Sequence, residues 1–462
     1  MSSTCGRLVI AGAASGVGKT SLSLGLIRAL RRRSLRVQPL KVGPDFLDPT
    51  YLSKAANRTC YNLDGWMTDR KYVERLFDRT TAGADVAVIE GVMGVFDGAD
   101  PTSLAGSTAE IAAWLDAPVL LIVNVHGLAR TLAAIVKGFV EFEPSVRIAG
   151  VLANQAGSVR HGEYLSEALE TAGLPPLVGT IPQGALPTLQ NRHLGLVTAD
   201  RHVLPEEQIG ALADACQQHL DLDAILLLAR STSPRSAIEP EAAATTAGEK
   251  VRIGVAKDEA FHFCYPDNLE AWQRQGAEMV PLSPLADATL PESLHGLYLP
   301  GGYPEEHLDR LSSNRSMRDD IRQFARSGKP VYAECGGLMY LGRAIESTGG
   351  QRLPTAGVLP IVTRMLRRCK SLGYVEASLS QDSLWGPAGA ILRGHEFHYS
   401  EIIEDDSAGN GWHNAYTVCG SRRGNAETEG FQKGNILAGY VHLHWASNPE
   451  LAAHFIARCK ES

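Results

Sequence analysis

The chain has 462 residues, 44% hydrophobic and 21% charged, the balance of a soluble globular protein with enough length to bury two cores. A formal net charge of −7 excludes the overall basic footprint of a nucleic-acid binder. The opening Met1-Ser-Ser-Thr-Cys-Gly-Arg has no signal-peptide pattern, no apolar run approaches the ~18 residues of a membrane span, and the eight cysteines include no C-x-x-C pair. A cytoplasmic chain without membrane segment, disulfide framework or zinc knuckle is expected.

Leu8-Val-Ile reads as a buried strand, and Gly12-Ala-Ala-Ser-Gly-Val-Gly-Lys-Thr-Ser follows it directly, ahead of helical apolar spacing from Ser21 to Arg33. Strand, glycine-rich loop and helix in that order form the context of a phosphate-binding loop. Backbone N–H groups of Gly12, Ser15, Gly16, Val17, Gly18 and Ser21 can close around the phosphates of ATP; Lys19 reaches the β and γ phosphates, and the Thr20 hydroxyl can hold Mg2+. The spacing departs from the strict Walker pattern, because Ala13 stands where its first glycine belongs.

Lys41-Val-Gly-Pro-Asp-Phe-Leu-Asp-Pro reads as a tight loop after a second strand. Its lysine and two acids suit metal and substrate handling: Lys41 to neutralise a carboxylate, Asp45 to take metal, Asp48 to place substrate, with plain turn roles as the alternative. Val86-Ala-Val-Ile is a further strand and sets Glu90 at its C-terminal end, where ligands of open α/β sheets gather. There Glu90 either coordinates magnesium, positions the reacting group or is a satisfied structural acid; Asp97, in the glycine-flanked turn beyond, is a substrate contact or a turn former. Ser107 to Leu115 has helical spacing, Val119-Leu-Leu-Ile-Val is a strand, and Val146-Arg-Ile-Ala-Gly-Val-Leu adds one more. Asn154, closing that strand, reads the adenine edge or caps a turn.

Residues 231–250 shift to Ser, Thr, Pro, Ala and Glu and read as a linker between domains at 1–230 and 251–462. The α/β rhythm restarts with Val251-Arg-Ile-Gly-Val-Ala, Gly296-Leu-Tyr-Leu-Pro and Lys329-Pro-Val-Tyr-Ala-Glu. Cys335 follows the last strand and precedes Gly-Gly-Leu-Met-Tyr-Leu, a nucleophile elbow: the cysteine should be exposed, its thiolate favoured by the helix N-terminus, and the Gly336 amide available to an oxyanion. Gly301 and Gly302, at another strand end, offer amides to the same oxyanion. Gly439-Tyr-Val-His-Leu-His-Trp supplies the base, with His442 the choice and His444 the runner-up. The basic run Arg364 to Lys370 either meets substrate carboxylates or is a solvated face.

The phosphate loop, the Lys41 to Pro49 segment, Asn62-Leu-Asp-Gly-Trp and Glu90-Gly-Val-Met-Gly-Val-Phe-Asp-Gly resemble the cobyrinic acid a,c-diamide synthase family, whose ATPase domain is similar to dethiobiotin synthetase. Ala260-Phe, Pro281-Leu-Ser-Pro-Leu, Gly301-Gly-Tyr-Pro-Glu, Gly394-His-Glu-Phe-His-Tyr-Ser and the Cys335 and His442 motifs resemble class I glutamine amidotransferases. The resemblance implies an α/β protein, a P-loop NTPase-like parallel-sheet domain followed by a class I glutamine amidotransferase-like α/β domain. It implies magnesium ligands at Thr20, Asp45 and Glu90, and His442 as the histidine of a Tyr-x-His pattern. It implies ATP as co-substrate, glutamine as ammonia source and a corrinoid-type tetrapyrrole polycarboxylate as acceptor, with cobyrinic acid amidated at its c and then its a side chain; a homodimer is the candidate assembly. Rival acceptors are hydrogenobyrinic acid and nickel-sirohydrochlorin. A MinD-type regulatory ATPase is the distant rival, but Ala14 stands where its signature lysine belongs. Many class I glutaminases follow the base with His-x-Glu, whereas here the sequence is His442-Leu-His444, leaving the group that orients the base unassigned.

Overall fold

Apolar runs without polar alternation need cover on both faces, which a parallel sheet between helices provides. The structure, a computed structural model, describes residues 5–189, 191–192, 195–196, 204–233, 235, 250–420 and 426–461, and its contacts divide into two units, Met1–Pro240 and Glu241–Ser462. Most of the expected linker, 234 and 236–249, lies outside the described residues.

In the first unit β1 (Gly6–Gly12), β2 (Val37–Val42), β3 (Tyr61–Leu63), β4 (Val86–Gly94), β5 (Val119–Asn124), β6 (Ile148–Ala156) and β7 (Leu177–Pro182) form one sheet in the order β3-β2-β4-β1-β5-β6-β7. Every pairing in it is parallel. Side chains alternate across it: Leu8 and Ile10 of β1 enter the core on one face, Val9 and Ala11 the core on the other. The P-loop leaves the end of β1, where the strand order reverses, so the crevice at the carboxyl ends of β1 and β4 opens beside it. Helix α1 (Lys19–Arg32) buries Leu22, Leu26, Ile27 and Leu30, each contributing roughly 1.5–3 kcal/mol by leaving water. It is seated close to the helix Glu206–His219: a Cβ on Gly25 would stand 2.5 Å from both Cys216 Sγ and the Leu212 carbonyl, so glycine is required there.

Two expected boundaries move. Lys41 lies inside β2 rather than in the loop after it, and Asp48 sits in the first turn of α2 (Leu47–Ala56), so the loop shrinks to the residues between them. Register then sets Glu90 of β4 opposite both Ile10 of β1 and Lys41 of β2.

The second unit carries a ten-stranded sheet. Its parallel half runs Ala277–Leu282, Val251–Ala256, Gly296–Leu299, Val331–Glu334 and Ile436–Gly439; an antiparallel half continues through Ala426–Lys433, His413–Gly420, Ser371–Leu379, Ile391–His398 and His442–Leu443. Strand Ile436–Gly439 and strand His442–Leu443 stand five places apart in that order, roughly 24 Å in a flat sheet. Three Cα steps from Gly439 to His442 span at most ~11 Å. The antiparallel half must therefore curl round until its last strand returns to the parallel half. A core of packed aromatics backs the turn, with Trp272 4.0 Å from Trp445 and 4.4 Å from Phe455 between ring centroids. No helix among the described residues is long and apolar enough to cross a membrane, and all eight cysteines are free.

Candidate active site

At the nucleotide end, α1 begins on Gly18 with no side-chain cap, so its first amides face the loop as phosphate donors. Gly16 (φ 75°) and Gly18 (φ 100°) hold the loop in left-handed backbone. Lys19 Nζ donates to the carbonyls of Ala14 (3.3 Å) and Met93 (2.5 Å), bonds that a phosphate would replace. Burial, then the neighbouring Lys41, pulls the Lys19 pKa down, which makes an incoming anion more welcome.

Behind the loop lies a buried charge cluster. Thr20 Oγ1 donates to Glu90 Oε1 (2.9 Å), and Lys41 Nζ reaches the same oxygen at 3.0 Å, the Gly91 carbonyl at 3.0 Å and Asp48 Oδ2 at 2.8 Å. Burial raises Glu90 to about 7 although Lys41 opposes it. Asp48, expected to place substrate, stands directly on Lys41 in this cluster, with Asp45, expected to take metal, close enough to interact with both. Asp45 Oδ1 accepts the backbone N–H groups of Leu47 (2.7 Å) and Asp48 (2.8 Å), tying down the first turn of α2. Burial, then Asp48, raises Asp45 to about 6.

Two further candidates have partners within the chain. Asn154 lies within β6 and donates through Nδ2 to the Val17 carbonyl (2.8 Å), so its amide grips the P-loop. Asp97 is exposed, and its Oδ2 accepts the Gly94 amide at 2.8 Å, the geometry of a turn former. Within the basic run, Arg364 and Lys370 pair with Glu401, while Arg367 and Arg368 face solvent. Sequence reasoning missed the part played by Asn62, whose buried amide holds the carbonyls of Gly43 (2.8 Å) and Asp45 (2.7 Å); its place in Asn-Leu-Asp-Gly-Trp was the available signal.

At the other end, Cys335 joins the strand Val331–Glu334 to the helix Gly336–Leu341 with φ 45° and ψ −101°, the strained backbone of an elbow. Its amide donates to the Gly439 carbonyl (2.7 Å), tying nucleophile strand to the strand that leads to His442. The oxyanion glycines converge: a Cβ on Gly336 would stand 2.9 Å from the Gly302 nitrogen. His442 lies against the same loop, since a Cβ on Gly301 would stand 2.4 Å from its Cε1.

The expectation of an exposed, thiolate-prone cysteine is wrong. Cys335 is 5% exposed, and burial, followed by the Glu305 carboxylate, pushes its thiol well up, while the Gly336 amide only partly offsets them. Such a cysteine rests as a thiol and needs a base at the moment of attack. The two candidate histidines have different surroundings. His442 Nδ1 lies 3.7 Å from Glu334 Oε2; His444 Nε2 lies 3.3 Å from Asp267 Oδ2, and its Nδ1 accepts the Ala446 amide. Asn268 brackets His444 from both sides, donating to the Leu443 carbonyl and accepting from the Trp445 amide at 2.9 Å each. His444 is thus built into the frame, while His442 faces the oxyanion loop.

A parallel sheet with a P-loop and a charge cluster, on one chain with a cysteine elbow, defines an ATP-using, glutamine-hydrolysing amide ligase. Residues 8–197 match the CobQ/CobB/MinD/ParA nucleotide binding domain and residues 252–450 the CobB/CobQ-like glutamine amidotransferase domain. The chain is 55% identical to the cobyrinate a,c-diamide synthase of Syntrophotalea carbinolica over 99% of both chains. It is 41% identical to that of Leptospira interrogans serovar copenhageni and 38% to that of Salmonella typhimurium, each over 98% of both chains. It belongs to the cobyrinate a,c-diamide synthase family.

Proposed function

We propose that the protein converts the a and c carboxylates of cobyrinate to amides, with ATP activating the acid and glutamine supplying ammonia. The observation that carries this reading is the coexistence on one chain of the Thr20–Glu90–Lys41–Asp48 cluster behind a P-loop and the Cys335 elbow beside two oxyanion glycines. A carboxylate is a poor electrophile, and ammonia is scarce at neutral pH, so each site meets a need that the other leaves.

In the glutaminase reaction the Cys335 sulfur attacks the side-chain carbonyl of glutamine as His442 takes the thiol proton. The Gly302 and Gly336 amides bind the oxyanion, and His442 returns the proton to the departing ammonia. Water then cleaves the thioester and releases glutamate. In the ligase reaction an oxygen of the substrate carboxylate attacks the γ-phosphorus of ATP and ADP leaves; ammonia adds to the acyl phosphate and inorganic phosphate departs. Lys19 and the α1 amides balance charge on the transferring group.

Magnesium fits the cluster. Glu90 Oε2 is buried with no hydrogen-bond partner among the described residues, and hydroxyl and carboxylate oxygens are the donors that a hard cation takes. Thr20 and Glu90 would hold it, with Asp48 as the second carboxylate; bound there with ATP, the ion supplies charge neutralisation at the phosphates. Lys41 bridges the two acids, 2.8 Å from Asp48 Oδ2 and 3.0 Å from Glu90 Oε1.

The experiment separates the half-reactions. Cys335→Ala should abolish amidation from glutamine and retain it from a concentrated ammonium salt, whereas Lys19→Ala should lose both. Full glutamine-dependent amidation by Cys335→Ala would remove the nucleophile and the reading with it.

A further inference from the structure

The base of this glutaminase lacks the acid that usually follows it two residues on, yet a carboxylate stands beside it from another strand. Glu334, the residue immediately before the nucleophile, is 2% exposed. Its Oε1 accepts the Tyr332 hydroxyl (2.6 Å) and the Leu443 amide (3.1 Å), and its Oε2 accepts the Tyr298 hydroxyl (2.9 Å). Those three donors leave the carboxylate no rotamer freedom and make its burial affordable. The Leu443 amide belongs to the residue directly after His442, so one carboxyl group fixes both the backbone of the base and the space beside its ring.

We propose that Glu334 is the positioning residue of the glutaminase: it orients the His442 imidazole through Nδ1, 3.7 Å from Oε2, and stabilises the imidazolium that forms when Cys335 is deprotonated. This rests on the amide-ligase reading above. The separation exceeds a hydrogen bond, and the assignment requires it to shorten once substrate fills the site, as catalytic contacts commonly do. The arrangement moves the acid from the base's own strand to the nucleophile's strand, so a single backbone stretch, Glu334-Cys335, delivers both orienting acid and attacking sulfur. Several other titratable neighbours are tuned away from this task. Tyr298 and Tyr332 hold the carboxylate and, with Tyr416, are pushed well above the ordinary phenol range, mainly by burial. Cys264, near Tyr298, is pushed up by burial, as is Cys335. His395, whose ring stacks 5.0 Å from that of His442, and His398 are both held low by burial. The acid that pairs with His444 is Asp267.

The test is Glu334→Gln and Glu334→Asp in the full chain, assayed for glutamine-supported and ammonia-supported amidation across pH. Removing a carboxylate beside an imidazolium favours the neutral base, so Glu334→Gln should move the acidic limb of the glutamine kcat/KM profile to lower pH. It should also cut kcat for glutamine on the order of 10–100-fold with the KM for glutamine little changed. Ammonia-supported synthesis should persist, and Glu334→Asp should restore the wild-type limb with part of the rate. A fall in kcat with an unmoved limb in Glu334→Gln would make Glu334 a packing residue and overturn the proposal, as would near-normal glutamine turnover. Cys335→Ala, run alongside, separates the two levels: glutamine-dependent amidation in that variant defeats the amide-ligase reading itself, whereas an inactive Cys335→Ala beside an unaffected Glu334→Gln defeats only this assignment.

Discussion

The oxyanion loop offers a perturbation whose size follows from distances. Gly336→Ala places a Cβ 2.9 Å from the Gly302 nitrogen, 2.9 Å from Pro304 Cδ and 3.1 Å from the Gly302 carbonyl oxygen. Ordinary contact between carbon and an amide nitrogen needs about 3.4 Å, so the Gly302 segment must retreat by roughly half an ångström. It has little room, because a Cβ on Gly302 would itself stand 2.1 Å from the Ala260 carbonyl. Complete loss of one oxyanion donor costs about 10²–10³ in kcat, so a half-ångström displacement should cost about 10–100-fold, or ~1.4–2.7 kcal/mol at the barrier. The assay is initial rate with saturating glutamine against saturating ammonium salt on the same preparation. Glutamine-supported kcat should fall by that factor and ammonia-supported kcat should hold. A glutamine rate within threefold of wild type would refute the idea that Gly302 is an oxyanion donor.

Three outcomes follow for the other end of the chemistry and for stability. Glu90→Gln should depress ammonia-supported amidation on the order of 10²-fold or more while glutamine hydrolysis continues, since it removes a carboxylate at the transferring phosphate; near-normal synthesis would take Glu90 out of the mechanism. Asparagine caps helices as well as aspartate does, so Asp45→Asn should leave the magnesium requirement within about twofold, whereas Asp48→Asn should raise it about tenfold; the reverse pattern, read from magnesium titrations of ATP turnover, would return the ligand to Asp45. Burial lowers His398 to about 4. The unfolded chain therefore binds the extra proton first, and the stability that neutral His398 permits is complete above about pH 6.5 and lost as pH falls towards 4. At 1.36 kcal/mol per pH unit this is about 3 kcal/mol; His398→Gln should narrow the gap between urea midpoints at pH 7 and pH 4 accordingly, and an unchanged gap would contradict the burial argument.

Local grammar carried much of this in the sequence. The P-loop was legible because strand, glycines, lysine and helix are contiguous, and the elbow because Val-Tyr-Ala-Glu-Cys-Gly-Gly encodes the strand-to-turn change within seven residues. Long-range partnerships were not legible. Asn154 meets Val17 across 137 positions, and nothing near Asn154 announces that its amide is already spoken for. The backbone contacts of Asp45 had a local signal that went unread: an aspartate two residues before a helix start tends to cap it, and a cap commits one of its oxygens. The burial of Cys335 depends on strands far along the chain, such as that carrying Phe397, whose carbonyl accepts from its sulfur at 3.8 Å. Glu334 was overlooked because its meaning lies in what strand His442–Leu443 brings to it.

The curled sheet of the second unit also bears on the order in which the proposed glutaminase residues come together. Cys335, Gly302 and Gly336 are all present by residue 336, but His442, the proposed base, arrives on the last strand of the sheet, after the antiparallel half. A chain ending at Lys433 would carry the elbow cysteine and both glycines without His442, so the site is drawn from segments that meet only once the sheet has closed on itself.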